Sequence, residues 1–428
     1  MLNIAVVGAG PMGMATAHHL VLAGHRVTLY EKDSVIGGMT ASFDFEGVNI
    51  ERFYHFICGT DEPYFELLRE LELEGQLRWV DTAMGYYHEG RLKDWGDPIS
   101  LLKFPGLSLL SKVRYGLMAF AATKRKNWKP LDGRDAISWL KKWVGDEAYD
   151  ILWKPLFELK FYQFTNNLSA AWVWSRMRRV GLSRRNLFQE QMGYLLGGSA
   201  TLLSALQASI EKNGSRIVLN KAVKEICFDG NRAMGVRTED GIEHFDKVIS
   251  TIPMPFVSAL LPALPPELTE IYDTLDNIAV VCVLIKLERK LTDYFWLNIS
   301  DPDIPMPGFI EYTNLYPMKN HILYAPFYMP AEHADYARPN SWFENEVRRY
   351  LSLIDPKLKP EEILSIRAGR YKFAQPICPP NFMDILPSIT PPGYSDVLIA
   401  DTSFYYPEDR SISESVKLGK RLAEMIEE

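Results

Sequence analysis

The sequence predicts an α/β protein, with a parallel sheet under helical cover interleaved with a second α+β unit. Three observations carry this expectation. Residues 2–32 read strand, glycine turn, helix, strand, which is how a βαβ unit opens. Buried-strand patterns return at residues 246–252 and 396–401. Between these stretches lie a helical region rich in Trp, Leu, Lys and Arg and a run of alternating strands.

The elements follow in order. Asn3-Ile-Ala-Val-Val7 is the first strand, and Gly8-Ala-Gly-Pro-Met-Gly13 is a turn. Residues 14–23 are good helix formers, and Gly24 ends them. Arg26-Val-Thr-Leu-Tyr-Glu31 is the second strand. Residues from about 86 to 190 carry helical patterns. A helix at 201–212, a strand at 216–219 and short strands turning at Asp229-Gly230 and Asp240-Gly241 lead to the buried strand at 246–252. From about 266 to 370 alternating strands dominate, among them residues 280–287 and 309–313. Residues 396–401 form a last strand and 413–426 a terminal helix. The interleaving assigns residues 1–85, 190–265 and 371–428 to a nucleotide-binding domain. Residues 86–189 and 266–370 then form a partly helical substrate domain.

Composition narrows the function. Apolar residues make up 47% of 428, enough for a large core. A net charge of −7 argues against nucleic acid as a partner. Cys58, Cys227, Cys282 and Cys378 are scattered without a CxxC pair or a metal-ligand spacing. The expectation is a reduced, cytoplasmic setting and no metal. The chain enters a strand at once with no basic n-region, so no secretory signal is expected. No apolar run approaches the ~20 residues of a membrane-spanning helix.

Gly8-x-Gly10-x-x-Gly13 follows a strand and opens a helix, as a dinucleotide fingerprint requires. Gly8 permits the tight turn, Gly10 lets the pyrophosphate approach the backbone, and Gly13 lets the helix pack on the strand. A positive φ at Gly10 is a further expectation. The helix N-terminus, with Pro11 and Met12, faces the phosphates. Glu31 stands where a ribose-binding acid is expected and repels a 2′-phosphate. Gly37-Gly38 follows, flanked by Lys32 and Met39. A glycine pair there lets the chain pass close to a dinucleotide, and a plain NAD domain does not need one. Asp401 ends the last strand before a helix N-terminus, an arrangement suited to a ribityl hydroxyl and the N1–O2 edge of a flavin. These residues together point to FAD.

The chain resembles the flavin-containing amine oxidase superfamily, which includes protoporphyrinogen oxidases, phytoene desaturases and UDP-galactopyranose mutases. The resemblance rests on Gly8–Gly13, Glu31, Gly37-Gly38, Gly193-Tyr-Leu-Leu-Gly-Gly198, residues 246–253 and Ala400-Asp401. It implies a Rossmann-like FAD-binding domain of the glutathione-reductase type. It also implies that Val223 meets the adenine through its backbone and that Ile412 lies beside the flavin pyrimidine. Two departures stand out. An Asp-x-Gly-x-His element reads Glu51-Arg-Phe-Tyr-His55, and Ala400 replaces a glycine. These departures resemble a bacterial branch nearer to the protoporphyrinogen oxidase-like proteins than to true amine oxidases.

On the substrate side the resemblance implies an FAD-dependent oxidoreductase that abstracts hydride from a C–H or C–N bond of a small or isoprenoid-like substrate. The alternatives are a non-redox enzyme like UDP-galactopyranose mutase and a non-catalytic FAD-binding protein. Lys286 either faces outward or, as in amine oxidases, holds a water near flavin N5, with Phe295-Trp296 following. Glu311-Tyr-Thr-Asn314, with Arg52, Tyr54 and His55, either lines a pocket or forms a satisfied loop. Lys286, Glu311 and His55 are the candidate catalytic residues. Arg176, Arg178, Arg179, Arg184 and Arg185 form either a solvated face or an anion site. Residues 101–130 hold seven Lys/Arg, no acid and many large apolar residues. They either pack on the neighbouring domain or lie on a membrane surface.

Overall fold

The computed structural model describes residues 1–212, 214–261 and 264–428. A five-stranded parallel sheet runs in the order Arg216–Val218, Arg26–Tyr30, Asn3–Val7, Lys247–Ser250, Val397–Ile399. Its strands are apolar on both faces because both are covered. Ile4 and Val6 pack beneath the helices Pro11–Leu22 and Ile412–Glu427. Ala5, Val7 and Val248 join the larger core on the opposite face, with Ile226, Ala233 and Val236 of a three-stranded antiparallel sheet. A Cβ on Gly419 would lie 2.6 Å from the Met12 carbonyl oxygen. That glycine lets the last helix seat against the first.

The second sheet has seven strands in the order Ile363–Pro376, Asn277–Leu287, His321–Met329, Gly308–Glu311, Trp296–Ser300, Met84–His88, Arg91–Trp95. One face, with Val281, Val283 and Ile285, packs on Phe343, Val347 and Tyr350 of the helix Asn340–Ile354. The other face, with Val280, Cys282 and Leu284, looks into the interior shared with the parallel sheet. The helices Leu109–Lys124, Ala136–Leu152, Lys154–Phe161 and Ala170–Leu182 form a separate layer.

Three expectations are corrected. Residues 84–95 form a hairpin, not helix, because Glu89 and Gly90 both take positive φ and reverse the chain. The boundary at 85/86 therefore cuts a strand, and the one at 370/371 falls inside Ile363–Pro376. The region expected as alternating strands contains Asn340–Ile354, whose apolar residues recur at helical spacing. The strand expected through Thr313 stops at Glu311, and Tyr312–Asn314 form one helical turn.

Candidate flavin site and substrate cleft

The fingerprint turn divides its glycines by role. Gly8 has φ +101°. A Cβ on Gly13 would lie 1.9 Å from the Gly8 carbonyl oxygen, so the helix start touches the turn. Gly10 has φ −71°, which corrects the expected positive φ. A Cβ there would meet no protein atom within 4 Å. Gly10 is therefore bare toward open space in front of the helix N-terminus, the room a pyrophosphate needs. Pro11 occupies the first helical turn, where a missing N–H costs nothing, and Met12 is buried in the core.

Glu31 braces this cradle. Its carboxylate accepts the Ala9 N–H at 2.9 Å and the Asp33 N–H at 2.9 Å, and each oxygen keeps a lone pair for a ribose hydroxyl. The Gly37 N–H donates to the Ala9 carbonyl at 2.7 Å, and a Cβ on Gly38 would lie 3.5 Å from the Gly10 Cα. Lys32 lies over the Phe256 ring, and Met39 packs on the larger core. Val223, half-buried, follows Lys221, whose N–H donates to the Glu31 carbonyl. At the other end Asp401, 3% exposed, accepts the N–H groups of Met254 and Ser403, each at 2.8 Å. Ile412 opens the terminal helix, capped by the Ser411 hydroxyl. The buried hydroxyls of Ser403 and Ser413 have no hydrogen-bond partner among the described residues. An open cradle at Gly10, an acid at the ribose position, and orphaned hydroxyls on Ser403 beside Asp401 and on Ser413 at the start of the last helix fit FAD.

The substrate-side candidates part company. Lys286 shares the inward face of its strand with Cys282 and Leu284, but its Nζ donates to the Glu46 carbonyl at 2.7 Å. It ties the strand to the hairpin Ser42–Phe45/Val48–Glu51. Glu311 is buried, and burial pushes its carboxyl up to about 7 against opposing hydrogen bonds from Thr292 and Leu291. It accepts from the Leu291 N–H, the Thr292 N–H and the Thr292 hydroxyl at 2.8–2.9 Å, so it caps that loop. Asn314 joins the same loop through the carbonyls of Thr292 and Tyr294. His55 Nδ1 lies 2.6 Å from Glu51, which also accepts the Ser199 N–H at 2.8 Å. Glu51 and Tyr312 border a cavity of about 150 Å³. Arg52 turns to Asp33. The arginine run is not one face: Arg179 chelates Asp61, Arg185 meets Asp81, Arg184 binds backbone carbonyls, and Arg176 meets Asp409. His18, His19 and Glu70 converge within 4.8 Å, although no metal was expected. Lys420 already stands 3.8 Å from that carboxylate.

Two features go beyond the sequence reading, which placed Tyr54 and His55 beside a candidate pocket but passed over Phe53, Phe56 and Lys160. Phe53, Tyr54, His55 and Phe56 form a half-buried wall, with Tyr54 packed edge-on against Trp296 at 5.6 Å and tilted on Tyr324 at 5.8 Å. Phe53 stands where the resembled element has its glycine. The second feature is Lys160, 5% exposed beside Tyr328 and Trp172. Its only sequence signal was a Lys between Leu159 and Phe161 in a helix.

A glycine fingerprint and glycine pair on a parallel sheet, joined to a large mixed sheet with an aromatic cluster, are the features of a flavoprotein. Residues 13–366 match the model of the family described as flavin containing amine oxidoreductase, and the chain belongs to that family. Its cofactor is FAD, and it is an FAD-dependent oxidoreductase. It is 25% identical to the 15-cis-phytoene desaturase of Synechococcus elongatus over 332 residues, 70% of this chain and 68% of that one. An oxidoreductase from Methanosarcina mazei shares the fold with TM-score 0.75, 19% identity and full coverage of both chains. Reduced UDP-galactopyranose mutase matches at TM-score 0.75 and 16% identity, covering 100% of this chain and 95% of that one. At such identities the likeness is one of fold.

Proposed function

We propose that the enzyme removes a hydride equivalent from a C–H or C–N bond of a small or isoprenoid-like substrate held against the Phe53–Phe56 wall. The observation that carries this reading is the make-up of that wall. Phe53, Tyr54, Phe56 and Trp296 supply apolar, flat surface backed by Tyr324 and Tyr328. The titratable candidates Glu311 and Lys286 are engaged elsewhere. Bound flavin supplies the electron chemistry, so the protein need only bind, orient and exclude water. Anaerobic addition of candidate substrates should bleach the oxidised flavin absorbance. Failure of every cyclic amine and isoprenoid tried, with dithionite still bleaching the flavin, would count against it.

The same reading places the enzyme in the cytoplasm at a membrane surface. The four free cysteines are buried, which supports a reducing compartment. No described helix is long and apolar enough to cross a membrane. The helix Leu109–Lys124 instead leaves Leu109, Leu110, Val113, Leu117 and Phe120 exposed. Lys103, Lys124, Arg125, Lys126 and Lys129 surround them, also exposed. The helix borders an open cavity of about 480 Å³ lined by Met118, Trp139, Trp143 and Trp174. An apolar stripe with a basic border suits an anionic lipid surface.

A further inference from the structure

Lys160 belongs to a buried cluster that the proposed hydride chemistry does not use. Lys160, Arg176, Arg179 and Arg410 surround the carboxylate of Asp409. Arg179 is spoken for, its Nε and Nη2 meeting the two oxygens of Asp61 at 3.1 and 2.8 Å. Arg176 Nη1 donates to Asp409 Oδ2 at 2.7 Å, and the Arg410 main-chain N–H donates to Oδ1 at 3.0 Å. The Arg410 guanidinium donates to the Tyr328 hydroxyl at 3.0 Å and to the Ala374 carbonyl. Four cations thus share two carboxylates, and among the described residues the side chains of Lys160 and Arg410 have no ion-pair partner of their own.

Lys160 is the most exposed to this imbalance electrostatically and the least exposed to solvent. Among the described residues its Nζ makes no hydrogen bond or ion pair. The ammonium instead sits over the rings of Tyr328, Phe161 and Trp172 at 5.1, 5.2 and 5.4 Å. Ring faces attract a cation, but they do not replace the acceptors that water provides. Burial holds the Lys160 pKa well below the usual lysine range, with Arg176 and Arg410 pushing the same way and Asp409 opposing. An anion beside Nζ would act with Asp409 against the burial and the two guanidiniums.

The cluster is reachable. Arg176 remains 37% exposed, and Tyr54 and Arg410 keep accessible surface although they lie deep in the molecule. Tyr54 adjoins both Tyr328 and Arg410, and it also belongs to the aromatic wall. The cations therefore stand at one end of the proposed substrate cleft.

We propose that Lys160, Arg410 and Arg176, with the Tyr54 and Tyr328 hydroxyls, bind an anionic terminus of the substrate, a carboxylate or a phosphate. Assigning the anion to the substrate rests on the oxidoreductase reading; the binding of the anion does not. An ammonium and two guanidiniums donate to anionic oxygen, and the fork of Arg410 favours a planar or tetrahedral oxyanion. The rest of the substrate then extends along the apolar wall. A pure hydrocarbon would leave Lys160 uncompensated.

The test is the thermal midpoint of the FAD-loaded protein titrated with sodium benzoate or inorganic pyrophosphate, against sodium chloride at matched ionic strength. A ligand that binds the native state raises the midpoint saturably. Benzoate alone raising it identifies a carboxylate, and pyrophosphate alone or both raising it identify a phosphate-competent site. Lys160→Met keeps the length and removes the charge. It should retain FAD, show an unchanged or higher midpoint without anion, and bind the anion at least tenfold more weakly. Should Lys160→Met fail to fold, the half-exposed Arg176→Gln is judged by the same weakening. Neither anion exceeding chloride, or a variant responding like the parent, overturns the proposal. A saturable anion response with no flavin bleaching by any substrate would instead sink the oxidoreductase reading and leave the anion subsite standing.

Discussion

Gly10 and Gly13, three residues apart in one turn, should fail in different ways. Gly13→Ala would press a Cβ to within 1.9 Å of the Gly8 carbonyl oxygen, and backbone cannot yield cheaply. Overpacking of this kind costs about 1–3 kcal/mol or more, so its melting temperature should drop with or without flavin. Gly10→Val adds its bulk where no protein atom stands, at an ordinary φ of −71°. It should fold and lose FAD. Flavin absorbance per mole of folded protein decides this, and normal stoichiometry would remove the fingerprint from the cofactor site. Lys286→Met loses one hydrogen bond to the Glu46 carbonyl, worth about 1 kcal/mol. FAD content and the rate of flavin reduction should stay within about twofold; a larger loss of rate would restore Lys286 to the chemistry.

Glu190 sets a pH dependence. Burial pushes its carboxyl up to about 7; the Thr82 hydroxyl at 3.0 Å opposes this, and its second oxygen has no partner among the described residues. Between about pH 4.5 and 7 the folded state holds a proton that the unfolded chain has released. Stability therefore falls as pH rises through that window and levels off above it, by on the order of 3 kcal/mol for this group. Glu190→Gln should flatten the decline and melt higher than the parent at pH 8. Parallel melting curves across pH 5–8 for both proteins would contradict this assignment.

At the scale of elements, the helix Leu109–Lys124 makes the clearest prediction. Its stripe of Leu109, Leu110, Val113, Leu117 and Phe120 is exposed, while Met118 and Ala122 face the core. The protein should sediment with vesicles containing phosphatidylglycerol, less with neutral vesicles, and less again at high salt. Leu117→Glu changes an exposed side chain, so the fold should hold while vesicle binding falls several-fold. Equal binding by both proteins would show that another surface carries the contact. The basic, acid-free composition of this stretch was plain in the sequence. Whether its apolar residues pointed in or out was not, since a stripe at helical spacing reads the same on either side.

At the scale of the whole molecule, the cofactor cradle we propose would draw on three separated stretches of chain, around Gly10, Val223 and Asp401. FAD bound across them should be released intact and yellow by acid, with no flavin left on the pellet. The melting temperature should rise with added FAD in the manner of a ligand that binds only the native state. A melting temperature unmoved by FAD removal would mean that the segments hold together without it.

The sequence by itself determined the cradle because its signals are local. Gly8, Gly10, Gly13, Glu31 and Gly37-Gly38 lie within one short stretch whose strand–turn–helix–strand pattern is set by period and turn chemistry. The buried strands at 247–250 and 397–399 were legible for the same reason, being short apolar runs. The substrate side depended on packing. Lys286 and Glu311 stood out because a charge in an apolar strand looks functional, yet each found a backbone partner that no spacing rule reveals. Lys160 looked ordinary, one basic residue in a helix. It became exceptional only when Tyr328, Trp172, Arg176 and Arg410 closed around it from distant parts of the chain. The energy of a charge depends on its surroundings far more than on its neighbours in sequence, and only the tertiary structure supplies those surroundings.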